Sequence, residues 1–233
     1  MENSPSEKLT KGLDGLYDRC VGYHSLGARF AKWRAVITIG EGIPTDDCIR
    51  RNASVLAKYA KACQDAELVP IVEPEVLMDG DHTIESCYEV SEKTFKTVFE
   101  ELENEGVYLP GILLKPNMVI SGKDCPVQGD MNTVAEMTVK CLKASVPEDV
   151  PGIVFLSGGQ SETEATEHLN AMNAMGDCPW ALSFSYGRAL QQSALRAWGG
   201  DNANLETTYA TFYHRAEMNS KACHGEYSPE LEI

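Results

Sequence analysis

The chain has 233 residues, 43% of them hydrophobic, and a formal net charge of −15 from 35 acidic and 20 basic side chains. That length suits one large domain or two small ones, and the apolar fraction is that of a globular protein. The acidic balance argues against a nucleic-acid partner, which needs a basic face, and no apolar run approaches the length of a membrane span.

The first residues, Met1 to Lys8, are polar and mixed in charge, without the apolar core of a signal peptide. Residues 1–10 are expected to be disordered. A helix is predicted between Leu13 and Leu26. Ala35-Val36-Ile37-Thr38-Ile39 predicts a first strand, and its approach carries Lys32 and Arg34 on one face. Ile49, Ala53, Leu56, Ala60 and Cys63 recur at helical spacing. Val69-Pro70-Ile71-Val72 predicts a second strand ending in Glu73-Pro74-Glu75, two carboxylates of the same parity. Asp79-Gly80-Asp81-His82 reads as a solvent-exposed turn into the next helix rather than a metal loop. That helix has the stripe Ile84, Tyr88, Phe95, Phe99 and Leu102.

Gly111-Ile112-Leu113-Leu114 predicts a third strand, which ends in Lys115. A helix follows through Val134, Met137, Cys141 and Leu142. Gly152-Ile153-Val154-Phe155-Leu156 is the fourth strand, ending in Ser157-Gly158-Gly159-Gln160-Ser161. The capping box Ser161-x-x-Glu164 opens a helix through Ala165, Leu169 and Met172. Trp180 to Ser185 is the fifth strand, followed by Tyr186-Gly187-Arg188, with Arg188 opening another helix. Leu205, Tyr209, Phe212 and Ala216 mark a C-terminal helix. The strand runs are continuous rather than alternating, as in a parallel sheet buried on both faces. Five strand–helix units in strict alternation predict an α/β fold, either doubly wound or part of a (β/α)8 barrel.

In both architectures chemistry gathers at the C-terminal ends of the strands. Every strand end here is charged or glycine-rich, which is the pattern of a site. Lys115 stands out. A lysine at the end of a core strand is costly unless it is neutral or paired, and a neutral amine is a nucleophile suited to a Schiff base with a carbonyl substrate. Lys32 could disfavour the charged form of its neighbour, and Glu73 and Glu75 could move protons during imine formation and loss. The N–H groups of Ser157-Gly158-Gly159 can cradle a phosphate, and Arg188 can add a bidentate contact. Together these groups describe a site for a phosphorylated ketose. The eight cysteines are scattered singly, without a CxxC pair, and read as reduced, mostly buried thiols of a cytoplasmic protein.

Five segments carry a resemblance: Phe30-Ala31-Lys32-Trp33-Arg34, Val69 to Glu75, Leu113-Leu114-Lys115-Pro116-Asn117-Met118, Phe155 to Ser161, and Phe184 to Gln191. With Gly12-Leu13-Asp14-Gly15-Leu16 and Ala197-Trp198-Gly199-Gly200, they closely resemble the class I fructose-bisphosphate aldolases, in the right order from Lys11 to about Tyr227. The ending Tyr227-Ser228-Pro229-Glu230-Leu231-Glu232 looks like bacterial-type members. The resemblance implies a (β/α)8 TIM barrel and a lyase of glycolysis and gluconeogenesis. The implied reaction is the reversible cleavage of fructose 1,6-bisphosphate to dihydroxyacetone phosphate and glyceraldehyde 3-phosphate. It further implies that Lys115 is the Schiff-base lysine, Glu73 the proton-transferring glutamate, Lys32 the lysine that assists carbinolamine chemistry, and Glu75 the carboxylate beside Lys32. Arg34 would contact substrate, and Ser157, Gly158, Gly187 and Arg188 would hold the phosphate on the ketone end. No metal or other cofactor is implied, because the iminium is the electron sink. A homo-oligomer is implied as well.

The family barrel has eight strands, and this chain supplies about five, its motifs beginning near the family's fourth. Residues 11–200 would form five βα units of a single incomplete barrel domain, and 201–233 a C-terminal helix and tail. The expectation is that the first three units, with the family's first-strand aspartate, third-strand lysine and distal-phosphate serines, are absent, and the family's flexible tail as well. Weak or no cleavage is then expected of the chain alone, with open sheet edges that invite pairing. The alternative reading is a non-catalytic aldolase fragment acting at most as an interaction protein.

Overall fold

Residues 4 and 6–232 are described by a computed structural model of the chain. Five parallel strands form one sheet in the order β1-β2-β3-β4-β5. They are β1 (Phe30–Ile37), β2 (Val69–Val76), β3 (Leu113–Leu114), β4 (Gly152–Phe155) and β5 (Ala181–Phe184). The helices are α1 (Leu16–Ser25), α2 (Asp46–Asp65), α3 (Ile84–Asn104), α4 (Met131–Ser145), α5 (Glu162–Ala174), α6 (Arg188–Trp198) and α7 (Leu205–Ala222). A doubly wound sheet reverses its strand order at a switch point. This sheet does not, so it is an arc of a (β/α)8 barrel. β1 and β5 are its edges.

The core lies between the sheet and the helices. Ala35, Val72, Leu114, Ile153, Phe155 and Leu182 pack there with the predicted stripes of α2 to α5. The other sheet face is the lumen side, where Lys32, Arg34, Glu73, Glu75 and Lys115 share strand parity. This separates the apolar and chemical halves of each strand by alternation alone.

Four expectations differ from the fold. β1 begins at Phe30, five residues before the predicted run, and its Phe30, Lys32 and Arg34 are exposed rather than buried on both faces. An edge strand has no neighbour to cover its lumen side. β3 keeps only two residues, because Pro116 has no N–H to continue the ladder and Leu109–Gly111 forms a 3-10 turn through Pro110. Residues 6–10, expected to be disordered, are tethered. The buried Glu7 carboxylate accepts from Thr45 N at 2.7 Å and Oγ1 at 2.8 Å, Lys8 O accepts from Asn52, and Thr10 donates to Arg34 O. Burial pushes the Glu7 carboxyl up, but hydrogen bonds with Thr45, Ser4 and Cys48 together outweigh it and the net shift is downward. The remainder of that expectation, residues 1–3 and 5, lies outside the described residues.

The fourth difference concerns α7. The helix is where the sequence predicts it, but Tyr209 is 66% exposed and Phe212 39%. The buried face is Arg215, Met218, Asn219 and Ala222. Arg215 grips Glu232 at 2.8 and 2.6 Å and reaches Thr166 on α5 at 3.1 Å. Asn219 accepts from Thr166 at 3.0 Å. α7 therefore docks through a buried polar network, which a search for apolar periodicity does not register.

Other sequence features are reproduced in detail. Ser161 and Glu164 form the reciprocal capping box that starts α5. All eight cysteines are free thiols, six of them buried, and burial pushes Cys63 and Cys141 up to about 12, with Cys20 and Cys87 respectively adding to the effect.

Candidate active site

β2 delivers Glu73 and Glu75 to the lumen side with 3% and 5% exposure. Buried carboxylates need partners, and the edge strand supplies them. Parallel pairing sets Lys32 opposite Ile71 and Arg34 opposite Glu73. Each cation then reaches two residues along β2 on the same face. Lys32 Nζ meets Glu73 Oε2 at 2.5 Å, and Arg34 Nε pairs with Glu75 Oε2. The resemblance put Glu75 beside Lys32. The structure corrects this: Glu75 holds Arg34, because the two-residue offset applies equally to both cations. The bond to Glu75, the nearby charge and that of Glu73 together raise Arg34 above the usual guanidinium range, against burial. Only Nε is engaged in the pair, which leaves the two terminal nitrogens for another anion.

β3 delivers Lys115. Its N–H bonds Val72 O at 2.8 Å, the last rung between β3 and β2. Lys115 is 8% exposed, and its Nζ lies 3.2 Å from Glu73 Oε1. One carboxylate therefore bridges two ammonium groups, one oxygen to each. Lys115 is paired as well as buried, and the group that pairs it is the one best placed to exchange protons with it. Lys32, Glu73 and Lys115 form a cluster spanning three adjacent strands.

Asn117, which the sequence reading passed over, fixes this cluster. Its Oδ1 accepts from Val76 N at 3.0 Å, and its Nδ2 donates to Ser91 Oγ and Met118 O, each at 3.0 Å. It takes over the β2–β3 connection where Pro116 ends it. The available signal was an amide two residues past a lysine, directly after a proline that interrupts a strand.

β4 and β5 supply the glycine turns. They pair in register up to Phe155 opposite Phe184, so the following turns, Ser157-Gly158-Gly159 and Tyr186-Gly187-Arg188, are neighbours. Gly158 and Gly159 have φ of 53° and 92°, which favours glycine. The N–H groups of Ser157, Gly158, Gly159, Gly187 and Arg188 have no acceptor among the described residues, and neither has the Ser157 hydroxyl a partner. Gly187 caps α6 without a side-chain bond, so the helix N-terminus faces this turn open. Arg188 is exposed and forms no ion pair among the described residues. Tyr186 donates to Ala165 O at 2.8 Å and anchors the second turn on α5. Five free amides and an unpaired arginine suit a phosphate.

The Asp79 to His82 turn differs from its expectation at one residue. His82 is buried, and neither ring nitrogen has a partner among the described residues. Burial lowers its pKa, against the neighbouring Asp81.

An arc of a (β/α)8 barrel with a lysine–glutamate cluster at its strand ends defines an α/β-barrel protein whose charged groups gather at the C-terminal ends of the strands. The particular family follows from comparison. A family model described as "Fructose-bisphosphate aldolase class-I" matches residues 1–232. A "Probable fructose-bisphosphate aldolase class 1" of Xanthomonas campestris pv. campestris is 54% identical over 224 residues, covering 96% of this chain and 67% of that protein. A fructose-bisphosphate aldolase of Dictyostelium discoideum is 51% identical over 226 residues, covering 96% of this chain and 63% of that protein. Among solved structures, the Plasmodium falciparum aldolase in complex with TRAP and a small-molecule inhibitor superposes with a TM-score of 0.96 at 50% identity. That match covers 98% of this chain and 66% of the other. The chain belongs to the class I fructose-bisphosphate aldolase family. It spans about two thirds of the length of these relatives.

Proposed function

We propose that the chain carries the imine-forming half of a class I fructose-bisphosphate aldolase, a cytoplasmic, metal-independent enzyme of glycolysis and gluconeogenesis. The observation that carries this reading is the Glu73 carboxylate set between Lys115 and Lys32. Once its proton has passed to Glu73, the Lys115 amine adds to the ketone carbonyl of a phosphorylated ketose. Protons passed through Glu73 and Lys32 convert the carbinolamine to an iminium and release water. In the cleavage the hydroxyl proton of the aldehyde half passes to solvent as its carbonyl forms, and the carbon–carbon electron pair moves into the iminium to give an enamine, so no metal is required as electron sink. Protonation of that carbon and hydrolysis of the iminium then free the ketone product and Lys115. Arg34, held by Glu75, contacts the substrate. Ser157, Gly158, Gly187 and Arg188 hold the phosphate of the ketone end. The products of fructose 1,6-bisphosphate cleavage are dihydroxyacetone phosphate and glyceraldehyde 3-phosphate.

A second reading, an aldolase segment that acts by association, is favoured by the two sheet edges. Phe30, on β1, is 63% exposed, and Leu195, Trp198 and Tyr213 are exposed on the helices beyond β5. Such apolar surface suits another polypeptide, in a homo-oligomer or otherwise. A coupled cleavage assay separates the readings. The 233-residue chain assayed alone is expected to turn fructose 1,6-bisphosphate over slowly, and Lys115→Met to abolish what turnover there is. Turnover that survives Lys115→Met overturns the enzymatic reading. A complete absence of turnover, together with no imine on Lys115, favours the second.

A further inference from the structure

We propose that Lys123 is a second cation of the phosphate pocket, held beside the glycine turn by Asp79 and released to the phosphate on binding. This rests on the reading of Ser157-Gly158-Gly159 as a phosphate turn.

The backbone that carries Lys123 is fixed in place. Residues 122–124 lie against residues 78–82 through three successive bonds. Gly122 N–H reaches His82 O at 2.8 Å, Lys123 N–H reaches Met78 O at 2.8 Å, and Asp124 N–H reaches Gly80 O at 2.9 Å. The approach is so close that a Cβ at Gly122 would stand 2.3 Å from Gly80 O. Only glycine permits the clamp. It locks the loop after β3 onto the loop after β2, and both onto the turn after β4. There, a Cβ at Gly159 would meet Met78 Sδ at 3.1 Å and Lys123 Cε and Nζ at 3.2 and 3.3 Å. Glycine at 159 therefore serves two ends: it adopts φ 92°, and it lets the lysine lie against the turn whose amides are free.

Lys123 Nζ also pairs with Asp79 Oδ1 at 3.1 Å. Both side chains are about half exposed or more, so the pair is weak and water-screened. A phosphate dianion, gathering the turn amides and Arg188, is a stronger partner for an ammonium than one solvated carboxylate. In a chain of net charge −15 such a reserve has a purpose. The empty pocket keeps its cation compensated, and Asp79 is freed to solvent at little cost when the anion arrives.

This makes opposite predictions for the two partners, which a merely structural strap would not. Inorganic phosphate is titrated into the full 233-residue chain by calorimetry at low ionic strength, with circular dichroism confirming the fold of each variant. Lys123→Met is expected to weaken binding about tenfold or more, the scale of one hydrogen bond to a charged group. Lys123→Arg is expected to stay within about twofold of the parent, since the charge is kept. Asp79→Asn is expected to tighten binding about twofold or more by removing the competitor. Unchanged binding in Lys123→Met overturns the proposal. So does weakening in Asp79→Asn equal to that in Lys123→Met, which marks the pair as a strap. Arg188→Met tests the underlying pocket separately. If the parent and Arg188→Met fail alike to bind phosphate, the reading of the turn fails, and the proposal with it.

Discussion

Glu73→Gln is expected to slow imine trapping at Lys115 by about 100-fold or more, the usual contribution of a positioned general acid–base. Glu73 is 3% exposed and touches both ammonium groups, one with each oxygen. An amide keeps the shape but offers a single acceptor and no exchangeable carboxyl proton. Lys115 and Lys32 then face each other across a neutral group, and dehydration of the carbinolamine loses its proton relay. Glu75→Gln is the control. Its contact is with Arg34, not with either lysine, so trapping is expected to remain within about tenfold of the parent. Borohydride trapping with dihydroxyacetone phosphate, followed over time, measures both. A Glu73→Gln rate within about threefold of the parent would contradict the assignment of the relay to this carboxylate.

Phe155→Ala is expected to cost about 3–5 kcal/mol of stability in urea unfolding, as for other aromatic-to-alanine core truncations. The ring is 0% exposed and sits in the main core, on the strand that leads into the Ser157-Gly158-Gly159 turn. Against a typical total of about 5–15 kcal/mol, this is a large share. Tyr209→Ala on α7 is the comparison. At 66% exposure it is expected to stay within about 0.5 kcal/mol. A loss below about 1 kcal/mol for Phe155→Ala would mean that the site relaxes around the missing ring, and that the sheet is not packed as the structure has it.

The alternation of strands and helices was legible in the sequence because each unit carries its own local signal. The helical stripes of α2 and α3 and the capping box of α5 are of that kind. So were the polar groups at the strand ends, since strand parity alone puts Glu73 with Glu75 and Lys32 with Arg34. Pairing between those sets was not legible. Which cation meets which carboxylate depends on register, and register is a property of two strands, not of one. The extent of β1 was hidden because an edge strand is only half buried and therefore lacks a continuous apolar run. The docking face of α7 was hidden for a different reason. Arg215, Asn219 and Glu232 do there what apolar residues usually do, and a polar contact between distant segments leaves no periodic trace. Asn117 and Lys123 were missed on the same grounds, for their roles rest on backbone groups that only the fold brings near.

The most direct test of the account is the site of the covalent adduct. The 233-residue chain is incubated with dihydroxyacetone phosphate, reduced with borohydride, digested and read by peptide mass spectrometry. A stable adduct on Lys115, absent in Lys115→Met, is the expected result. Soluble, folded protein that yields no adduct, or yields one on a different lysine, would contradict the claim that the Lys32–Glu73–Lys115 cluster is an imine-forming site.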